Sequence, residues 1–323
     1  FLEMTKTALI TGGAGFIGLH LCRKLLKKNF KVIILDNFLR GKKDNELKNL
    51  LREKKVKLIK IDLSKKYNLK IKNLSHIFHL AGSVGVKNIN NNPLGSLTNN
   101  ILSLRNIINI NNNLKKKAKI IVFSTSEVYS PIIKRGRAKF PLKEDNEIII
   151  ENKIIDRDSY YISKIVNEKL VQFSRSDYLI LRPHNIYGPR MGFSHVIPEL
   201  IKKFINLKKS EKRVLVFSPS HKRAFCYIED AINQIIRLSL DKKVKNDTFN
   251  IGNMKEEVTM FNLAKKIKKI VSSKSYINKG PVTLGSPRRR VPDMRKTEKV
   301  IRYKKYINLN NGLNKTIEWY LKN

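Results

Sequence analysis

The sequence predicts an α/β fold built on a doubly wound parallel sheet, and three observations lead to this prediction. The apolar segment 8–10 is followed at once by the glycine-rich segment 12–18, and apolar residues then recur at helical spacing. A second apolar segment, 31–35, ends in the acidic residue Asp36. Strand-like and helix-like patterns then alternate up to residue 182, which is typical of a parallel sheet with helices on both faces. We therefore expect a Rossmann-type sheet.

Each predicted element rests on the spacing of its apolar residues and on the Gly, Pro, Asn and Asp residues that bound it. Short apolar runs predict strands, and repeats at three and four residues predict helices. The predicted strands are 8–10, 31–35, 56–61, 77–80, 119–124 and 178–182. The predicted helices of the same region are 19–26, 44–53, 93–113 and 159–174.

The pattern becomes less regular from Pro183 onward, where Pro and Gly residues cluster. Here we expect a smaller, mixed α/β lobe that binds the substrate at the ends of the sheet strands. The predicted elements of this lobe are strands at 223–227 and 249–252, and helices at 197–207, from Asp230, at 258–273 and around Trp319. The predicted domains are 4–182 with 223–250 returning to it, for the dinucleotide, and 183–222 with 251–323, for the substrate.

The composition is strongly basic, with 67 Lys and Arg residues against 26 Asp and Glu residues and a net charge of +41. Such a charge can indicate nucleic-acid or membrane binding. However, the lysines are scattered along the whole chain, and Lys, Asn and Ile all have AT-rich codons. Genome composition is therefore a sufficient explanation, and we expect neither a nucleic acid nor a membrane as partner.

The cysteines and the longest apolar runs indicate the compartment. No apolar run approaches the ~20 residues of a membrane span, and no secretory leader pattern is recognisable. Cys22 and Cys226 provide neither a disulfide framework nor metal-ligand spacing. We expect a cytoplasmic protein without a metal site.

The glycine-rich segment has the order strand, glycine turn and helix that a dinucleotide site requires. Gly12 allows the tight turn, Gly15 lets the backbone approach a pyrophosphate, and Gly18 lets the helix lie close to the strand. Asp36 follows the glycine turn at about the spacing expected of an acid that binds the ribose hydroxyls, which favours NAD over NADP. The nearby positive charge of Arg40 makes this preference for NAD weaker.

Further dinucleotide contacts are expected at the ends of later strands. Asp62 and the residue after it occupy a position that faces the adenine, although an ordinary strand-end cap is the alternative. Small residues after the fourth strand let the chain pass close to the cofactor. The predicted contacts of this kind are Gly12, Gly15, Phe16, Ile17, Gly18, Asp36, Asn37, Asp62, Leu63, Leu80, Ala81 and Gly82.

Tyr160 and Lys164 are four residues apart on a predicted helix, so both side chains project from one face. A nearby ammonium favours the phenolate form of tyrosine, which can then remove a proton from a sugar hydroxyl. Thr125, at the end of the fifth strand, is a candidate partner of the reacting hydroxyl. Glu127 is a candidate acid, base or sugar anchor.

Polar and basic residues after the sixth strand are candidates for substrate contacts. Asn185 is suited to a sugar or phosphate oxygen, whereas the lone His184 is more simply a structural residue. Arg223 and Arg290 are candidates for a clamp on a diphosphate or carboxylate, and a solvated basic loop is the alternative. The predicted substrate contacts are Ser126, Asn185, Arg190, Arg223 and Arg290.

Five stretches together resemble the extended short-chain dehydrogenase/reductase family. They are 11–18 (TGGAGFIG), Asp36, 124–129 (STSEVY), the Tyr160 and Lys164 pair, and 182–190 (RPHNIYGPR). The resemblance covers the chain from Met4. It implies an NAD-dependent epimerase, dehydratase or decarboxylase of a nucleotide sugar, and a homodimer formed through the helices near 94–113 and 159–174.

Within that family, 124–129, 223–227 (RAFCY) and 288–293 (RRRVPD) are most similar to the UDP-glucuronate decarboxylases. This similarity implies a UDP-sugar substrate and NAD as cofactor. The catalytic residues that it implies are Thr125, Glu127, Tyr160, Lys164 and Arg290. The binding residues that it implies are Asn100 on the nicotinamide side, and Asn185, Arg223 and Asp293 on the UDP side.

The segment 81–87 is instead more similar to UDP-glucuronate 4-epimerases, and 217–220 and His184 also depart from the decarboxylase pattern. The expected chemistry is transient oxidation at C4, best fitted by decarboxylation of UDP-glucuronate to UDP-xylose. A 4-epimerase acting on UDP-glucuronate or UDP-glucose is the alternative. A 4,6-dehydratase is less favoured, because Ser126 and Glu127 replace the usual Asp-Glu pair.

Two other classes of function are open on the sequence alone. A non-catalytic protein that binds nucleic acid through its positive charge predicts salt-dependent binding that survives loss of Tyr160. A regulatory NAD sensor predicts NAD binding without hydride exchange.

Overall fold

A computed structural model describes residues 5–67, 69, 71–83, 85–205, 213–303 and 305–323. The predicted domain start at Met4 and residues 206–207 of the predicted helix 197–207 lie outside this range. The chain forms two compact units. Unit 1 contains residues 1–128, 150–182 and 232–249, and unit 2 contains residues 129–149, 183–231 and 250–323. Residues 129–149 and 223–231, which the predicted first domain includes, thus belong to unit 2.

The central sheet forms because short runs of Val, Ile, Leu and Phe alternate with amphipathic helical segments, as parallel sheets require. Its strands are β1 Thr7–Thr11, β2 Lys31–Asp36, β3 Val56–Lys60, β4 Leu74–His79, β5 Lys119–Phe123, β6 Tyr178–Pro183 and β11 Asp247–Ile251. The strand order is β11-β6-β5-β4-β1-β2-β3, and the pairs from β3 to β6 are all parallel. This is the doubly wound order of dinucleotide-binding sheets, in which successive strands are added first to one side of β1 and then, from β4 onward, to the other.

The helices of unit 1 bury one face each against this sheet or against each other. They are α1 Phe16–Lys27, α2 Asn45–Leu51, α3 Val86–Asn91, α4 Pro93–Asn112, α6 Asp158–Gln172 and most of α8 Ile228–Leu240. Proline at the first position of α4 and the Asn92 side chain, which accepts a hydrogen bond from the Gly95 N–H, define where that helix begins. Leu104 and Ile107 of α4 are fully buried in the core with Leu9 and Val122.

Unit 2 combines short strands with five helices that lie wholly within it among the described residues. The helices are α5 Ser130–Lys134, α7 Val196–Ile205, α9 Met260–Ile270, α10 Arg295–Ile301 and α11 Leu309–Lys322. The strands are β7 Ile186–Tyr187, β8 Arg213–Val216, β9 Lys222–Ala224, β10 Cys226–Tyr227, β12 Glu257–Thr259, β13 Tyr276–Lys279 and β14 Arg289–Arg290. They pair as β10-β7, β12-β9-β14 and β13-β8.

Two predictions for this second region were wrong in detail. The predicted strand 223–227 is two strands, β9 and β10, that belong to different sheets. The start of the predicted helix 258–273 is strand β12, and the Thr259 side chain caps α9 by accepting from the Asn262 N–H at 3.1 Å. The polar segment after residue 273 contains β13 and β14. Strands β9, β10 and β12 each have three residues or fewer, and alternation over so few residues does not distinguish a strand from a loop.

The predicted doubly wound α/β fold is confirmed by the strand order. No helix within the described ranges combines the length and the apolar character needed to cross a membrane.

Gly18 is a position where the surrounding backbone leaves no room for a side chain. A Cβ there would lie 2.3 Å from the Gly12 carbonyl oxygen and 2.7 Å from the Gly13 Cα. Because both atoms are backbone, we expect Gly18→Ala to destabilise the protein by about 1–3 kcal/mol and to abolish NAD binding. Gly192→Ala is the control, since an added Cβ there meets nothing within 4 Å. Thermal unfolding and calorimetric NAD titration measure both effects; a Gly18→Ala protein that binds NAD normally contradicts the expectation.

Candidate active site

The glycine turn between β1 and α1 is held in a conformation that only small residues permit. Gly12 has φ +71°, its N–H donates to the Leu35 carbonyl at 2.8 Å, and a Cβ on it would lie 3.0 Å from the Ala81 nitrogen. Helix α1 begins after Gly15 with no capping side chain and no acidic residue in its first turn. The helix start thus has neither a side-chain cap nor a negative charge in its first turn, an arrangement suited to an anionic phosphate.

Asp36 is fixed at the end of β2 beside this turn. One carboxylate oxygen accepts from the Ala14 N–H at 3.0 Å and the other from the Phe38 N–H at 2.8 Å, and the residue is 7% exposed. Two backbone donors thus fix the orientation of this carboxylate, a type of acceptor that binds ribose hydroxyls in dinucleotide sites. Arg40 lies near Gly85, with its guanidinium nitrogens 3.9 Å from where a Gly85 Cβ would be, and burial lowers its pKa.

The predicted contacts at the ends of β2 and β3 have local partners. Asn37 accepts from the Leu39 N–H at 3.1 Å, and Asp62 accepts from the Ser64 N–H at 3.0 Å and its hydroxyl at 2.7 Å. Leu63 is buried in the core. Asp62 therefore caps a turn, as the alternative interpretation proposed, and the adenine contact of these residues stays a prediction.

Thr11 and His79 lie at the ends of β1 and β4, the two neighbouring strands between which the strand order reverses, and their side chains are hydrogen-bonded. The Thr11 hydroxyl accepts from the Ala81 N–H at 3.0 Å and lies 3.0 Å from His79 Nδ1. Burial lowers the pKa of His79 to about 3, and the nearby Lys164 lowers it as well. The imidazole is therefore neutral at physiological pH, and this hydrogen-bonded group determines the path of Leu80 and Ala81 at the sheet edge.

Lys164 is buried at the centre of the candidate site, with 3% exposure. Its Nζ donates to the Phe123 carbonyl at 2.9 Å and lies 5.9 Å from the centre of the Tyr160 ring. A Cβ on Gly82 would lie 3.5 Å from this Nζ and 3.0 Å from the Asn100 Oδ1. Burial lowers the pKa of Lys164 to about 8, and Glu168 opposes this shift.

Asn100 is fully buried and links three elements of unit 1. Its Oδ1 accepts from the Ser83 N–H at 2.6 Å, and its Nδ2 donates to the Ser163 hydroxyl at 2.9 Å. The structure thus brings Gly82, Asn100, Tyr160 and Lys164 together.

The segment after β5 places Thr125, Ser126 and Glu127 in a tight turn. The Thr125 hydroxyl accepts from the Glu127 N–H at 3.2 Å, and both Thr125 and Ser126 are buried. The Glu127 carboxylate accepts from Arg157 at 3.0 Å, with side-chain exposures of 20% and 17%. The predicted acid, base or anchor is therefore an ion-paired carboxylate.

Arg157 was missed by the sequence reasoning. The signal was available, because Arg157 precedes Tyr160 by three residues, or one helical turn, and so lies near the same face. In a chain with 67 basic residues, one further arginine gives no indication of its role.

In unit 2, Arg223 and Arg290 are register partners on the adjacent strands β9 and β14. Both are buried, at 8% and 7% exposure. Their neighbours Lys222 and Arg289 pair on the exposed face, where Arg289 forms a bidentate ion pair with Glu257 at 2.7 and 2.8 Å. Because side chains alternate along a strand, two buried guanidinium groups face the same side of this small sheet.

The other predicted substrate residues of unit 2 have structural partners as well. Asn185 has φ +40° and its side chain donates to the Ala224 carbonyl at 3.0 Å, and Arg190 is 2% exposed. Asp293 is bound by Arg295, whose hydrogen bonds hold the pKa of Asp293 below its usual range. His184 is fully buried with Nε2 3.0 Å from the Asn250 Oδ1.

The residues of unit 1 fit a dinucleotide. Gly12 and Gly82 leave spaces that a Cβ would fill, Asp36 is held as an acceptor beside the glycine turn, and Lys164, next to the Tyr160 ring, adjoins Gly82. These features define a dinucleotide-dependent enzyme with a tyrosine–lysine pair.

The chain belongs to the NAD-dependent epimerase/dehydratase family, whose profile matches residues 8–252. It is 32% identical to a UDP-N-acetyl-α-D-glucosaminuronate decarboxylase of Bacillus cytotoxicus, over 98% of each chain. It is 30% identical to UDP-glucuronic acid decarboxylase 1 of Danio rerio, over 98% of this chain and 72% of that protein. The predicted family, its enzymatic character and NAD as cofactor are confirmed.

Among solved structures, the UDP-glucuronic acid 4-epimerase of Bacillus cereus in complex with UDP-glucuronic acid and NAD is similar to this chain. The TM-score is 0.84 and the sequence identity 26%, over 98% of this chain and 99% of that one.

Asp36 allows a test of the cofactor site that needs no substrate. Replacing its carboxylate by a hydroxyl in Asp36→Ser removes the acceptor for the ribose hydroxyls and the repulsion of a 2′-phosphate. We expect NAD affinity to fall about tenfold while NADP affinity rises. Calorimetric titration with both dinucleotides measures the change. An equal loss of affinity for both would mean that Asp36 only supports the turn through Ala14 and Phe38.

Proposed function

We propose that this protein is an NAD-dependent decarboxylase of a UDP-hexuronate, with UDP-glucuronate as substrate and UDP-xylose as product. The observation that carries this proposal is the buried Lys164 next to Tyr160, whose ammonium binds the last residue of β5 just before the turn that contains Thr125 and Glu127. The relatives named decarboxylases, similar along nearly the whole chain, support it.

Tyr160 removes the proton from the C4 hydroxyl of the sugar. The Lys164 ammonium stabilises the phenolate by charge, and Thr125 binds the reacting oxygen. The site would hold NAD through the glycine turn and Asp36, and NAD would supply a reversible hydride acceptor, so that no net oxidation results. Asn100 fixes the loop at Ser83 and the helix at Ser163, which keeps the space beside Gly82 constant.

A ketone at C4 is β to the carboxylate, so CO₂ can leave with its electrons flowing into the ketone. Arg223 and Arg290 provide two adjacent buried cations in unit 2, which suit a diphosphate or a carboxylate. Glu127, held by Arg157, supports the proton transfer that restores C5.

A UDP-glucuronate 4-epimerase is the second candidate. It uses the same C4 oxidation, but the ketone intermediate rotates in the site, and the hydride returns to the opposite face of C4. The similarity to the Bacillus cereus 4-epimerase, at 26% identity, favours it, as does the segment 81–87. A decarboxylase specific for the N-acetylated hexuronate is a variant of the first candidate, favoured by the Bacillus cytotoxicus relative.

We also propose a cytoplasmic homodimer. Cys22 and Cys226 are both buried free thiols, which suits a reducing compartment. Helices α4 and α6 pack together in unit 1, and large apolar side chains at their ends, Leu94 and Phe173, are 73% and 81% exposed. A second copy that packs against these helices would cover them.

Product analysis separates the candidates. We expect incubation with UDP-glucuronate and NAD to release CO₂ and a UDP-pentose, measured by mass spectrometry. Tyr160→Phe should lower turnover by about 100-fold or more, whereas Tyr161→Phe, the matched control on the neighbouring buried tyrosine, should retain it. Formation of UDP-galacturonate would establish the epimerase instead, and no turnover of any nucleotide sugar would refute both.

The oligomeric state has its own test. We expect sedimentation to give a dimer, and Ile101→Asp together with Val166→Asp, on the partly exposed faces of α4 and α6, to give a monomer. Leu284→Asp is the control, because Leu284 is 84% exposed in unit 2. A monomeric wild-type protein at micromolar concentration would contradict the proposed dimer.

A further inference from the structure

A buried ion pair lies one helical turn beyond Lys164 on α6. Glu168 and Arg182 are 3% and 4% exposed. Arg182 Nε donates to Glu168 Oε1 at 2.9 Å and a terminal nitrogen donates to Oε2 at 2.8 Å. A bidentate ion pair fixes the relative orientation of both side chains. Removing either partner would leave an uncompensated charge in the interior, which destabilises the protein.

The same carboxylate binds the segment that precedes the catalytic threonine. Glu168 Oε1 accepts from the Ser124 hydroxyl at 2.5 Å, and the Ser124 N–H donates to the Leu181 carbonyl at 2.8 Å. Lys164 donates to the carbonyl of the preceding residue, Phe123. Two side chains of one helix thus hold two successive residues immediately before Thr125.

Charge around Lys164 comes from several elements. Among the described residues, the titratable groups near it are Tyr160 and Glu168 on its own helix and the neutral His79 at the end of β4. Arg182 at the end of β6 is paired with Glu168. Glu168 is the one negative charge that raises the pKa of Lys164 against the burial that lowers it to about 8.

We propose that Glu168 is a positioning residue of the reaction: paired with Arg182, it fixes Ser124 and thereby Thr125, and it keeps the Lys164 side chain charged. The inference rests on the proposed function for its catalytic meaning, whereas its electrostatic part concerns this chain alone. Without the negative charge of Glu168, the Lys164 ammonium next to Tyr160 loses its proton at a lower pH. Below its pKa Lys164 is charged and active, and above it Lys164 is neutral.

The first measurement of the test follows the titration of Lys164 directly and needs no substrate. In protein labelled with ¹³C at the lysine Cε, the Lys164 signal is the one absent from Lys164→Met. We expect it to titrate about one pH unit lower in Glu168→Gln, and the alkaline limit of kcat for UDP-glucuronate to move by the same interval. In Glu168→Gln/Arg182→Met, which leaves no lone buried charge, we expect a smaller shift in the same direction.

Asp177→Asn is the matched control, because Asp177 precedes β6 at its opposite end and its pair with Lys245 is half-exposed. It should leave both titrations unchanged. A Glu168→Gln or double variant that is folded and whose Lys164 titrates as in wild type overturns the proposal. A shifted Lys164 titration in a protein that turns over no UDP-sugar would refute the proposed function and retain the electrostatic role of Glu168.

Discussion

The candidate site depends on one buried cation, the Lys164 ammonium, and on the groups that make its burial tolerable. An ammonium at 3% exposure has lost its water, so it needs a hydrogen-bond acceptor and a compensating charge. The Phe123 carbonyl supplies the acceptor and Glu168 the charge. Phe123 is the last residue of β5, and Glu168 also binds the next residue, Ser124. The two groups that stabilise the buried ammonium therefore also determine where Thr125 lies.

Much of unit 1 could be predicted from the sequence because its signals are local. The glycine turn, Asp36 and the Tyr160 and Lys164 pair each combine a residue type with a spacing, and the structure places all of them in unit 1. Helical periodicity brings residues four apart together without any knowledge of the fold. The strands of the central sheet were recognised because buried parallel strands are continuous apolar runs.

The remainder depends on contacts between residues far apart in sequence. Arg157 with Glu127, and Arg182 with Glu168, meet only because α6 packs behind β5 and β6. The alignment of Arg223 with Arg290 depends on the register of two very short strands, 67 residues apart, which no hydrophobic pattern specifies. These long-range pairs and this strand register could therefore be identified only from the structure.

The scarcity of acidic residues makes the buried ones informative. The chain has 26 carboxylates and 67 basic groups, so an acidic side chain on the surface has water and many cations around it. Asp36 and Glu168 are nevertheless buried, and each accepts two or more defined hydrogen bonds. Burial of a charge is costly unless the partners are specific. These two buried carboxylates therefore depend on specific partners, which are backbone N–H groups beside the glycine turn for Asp36, and Arg182 and Ser124 for Glu168.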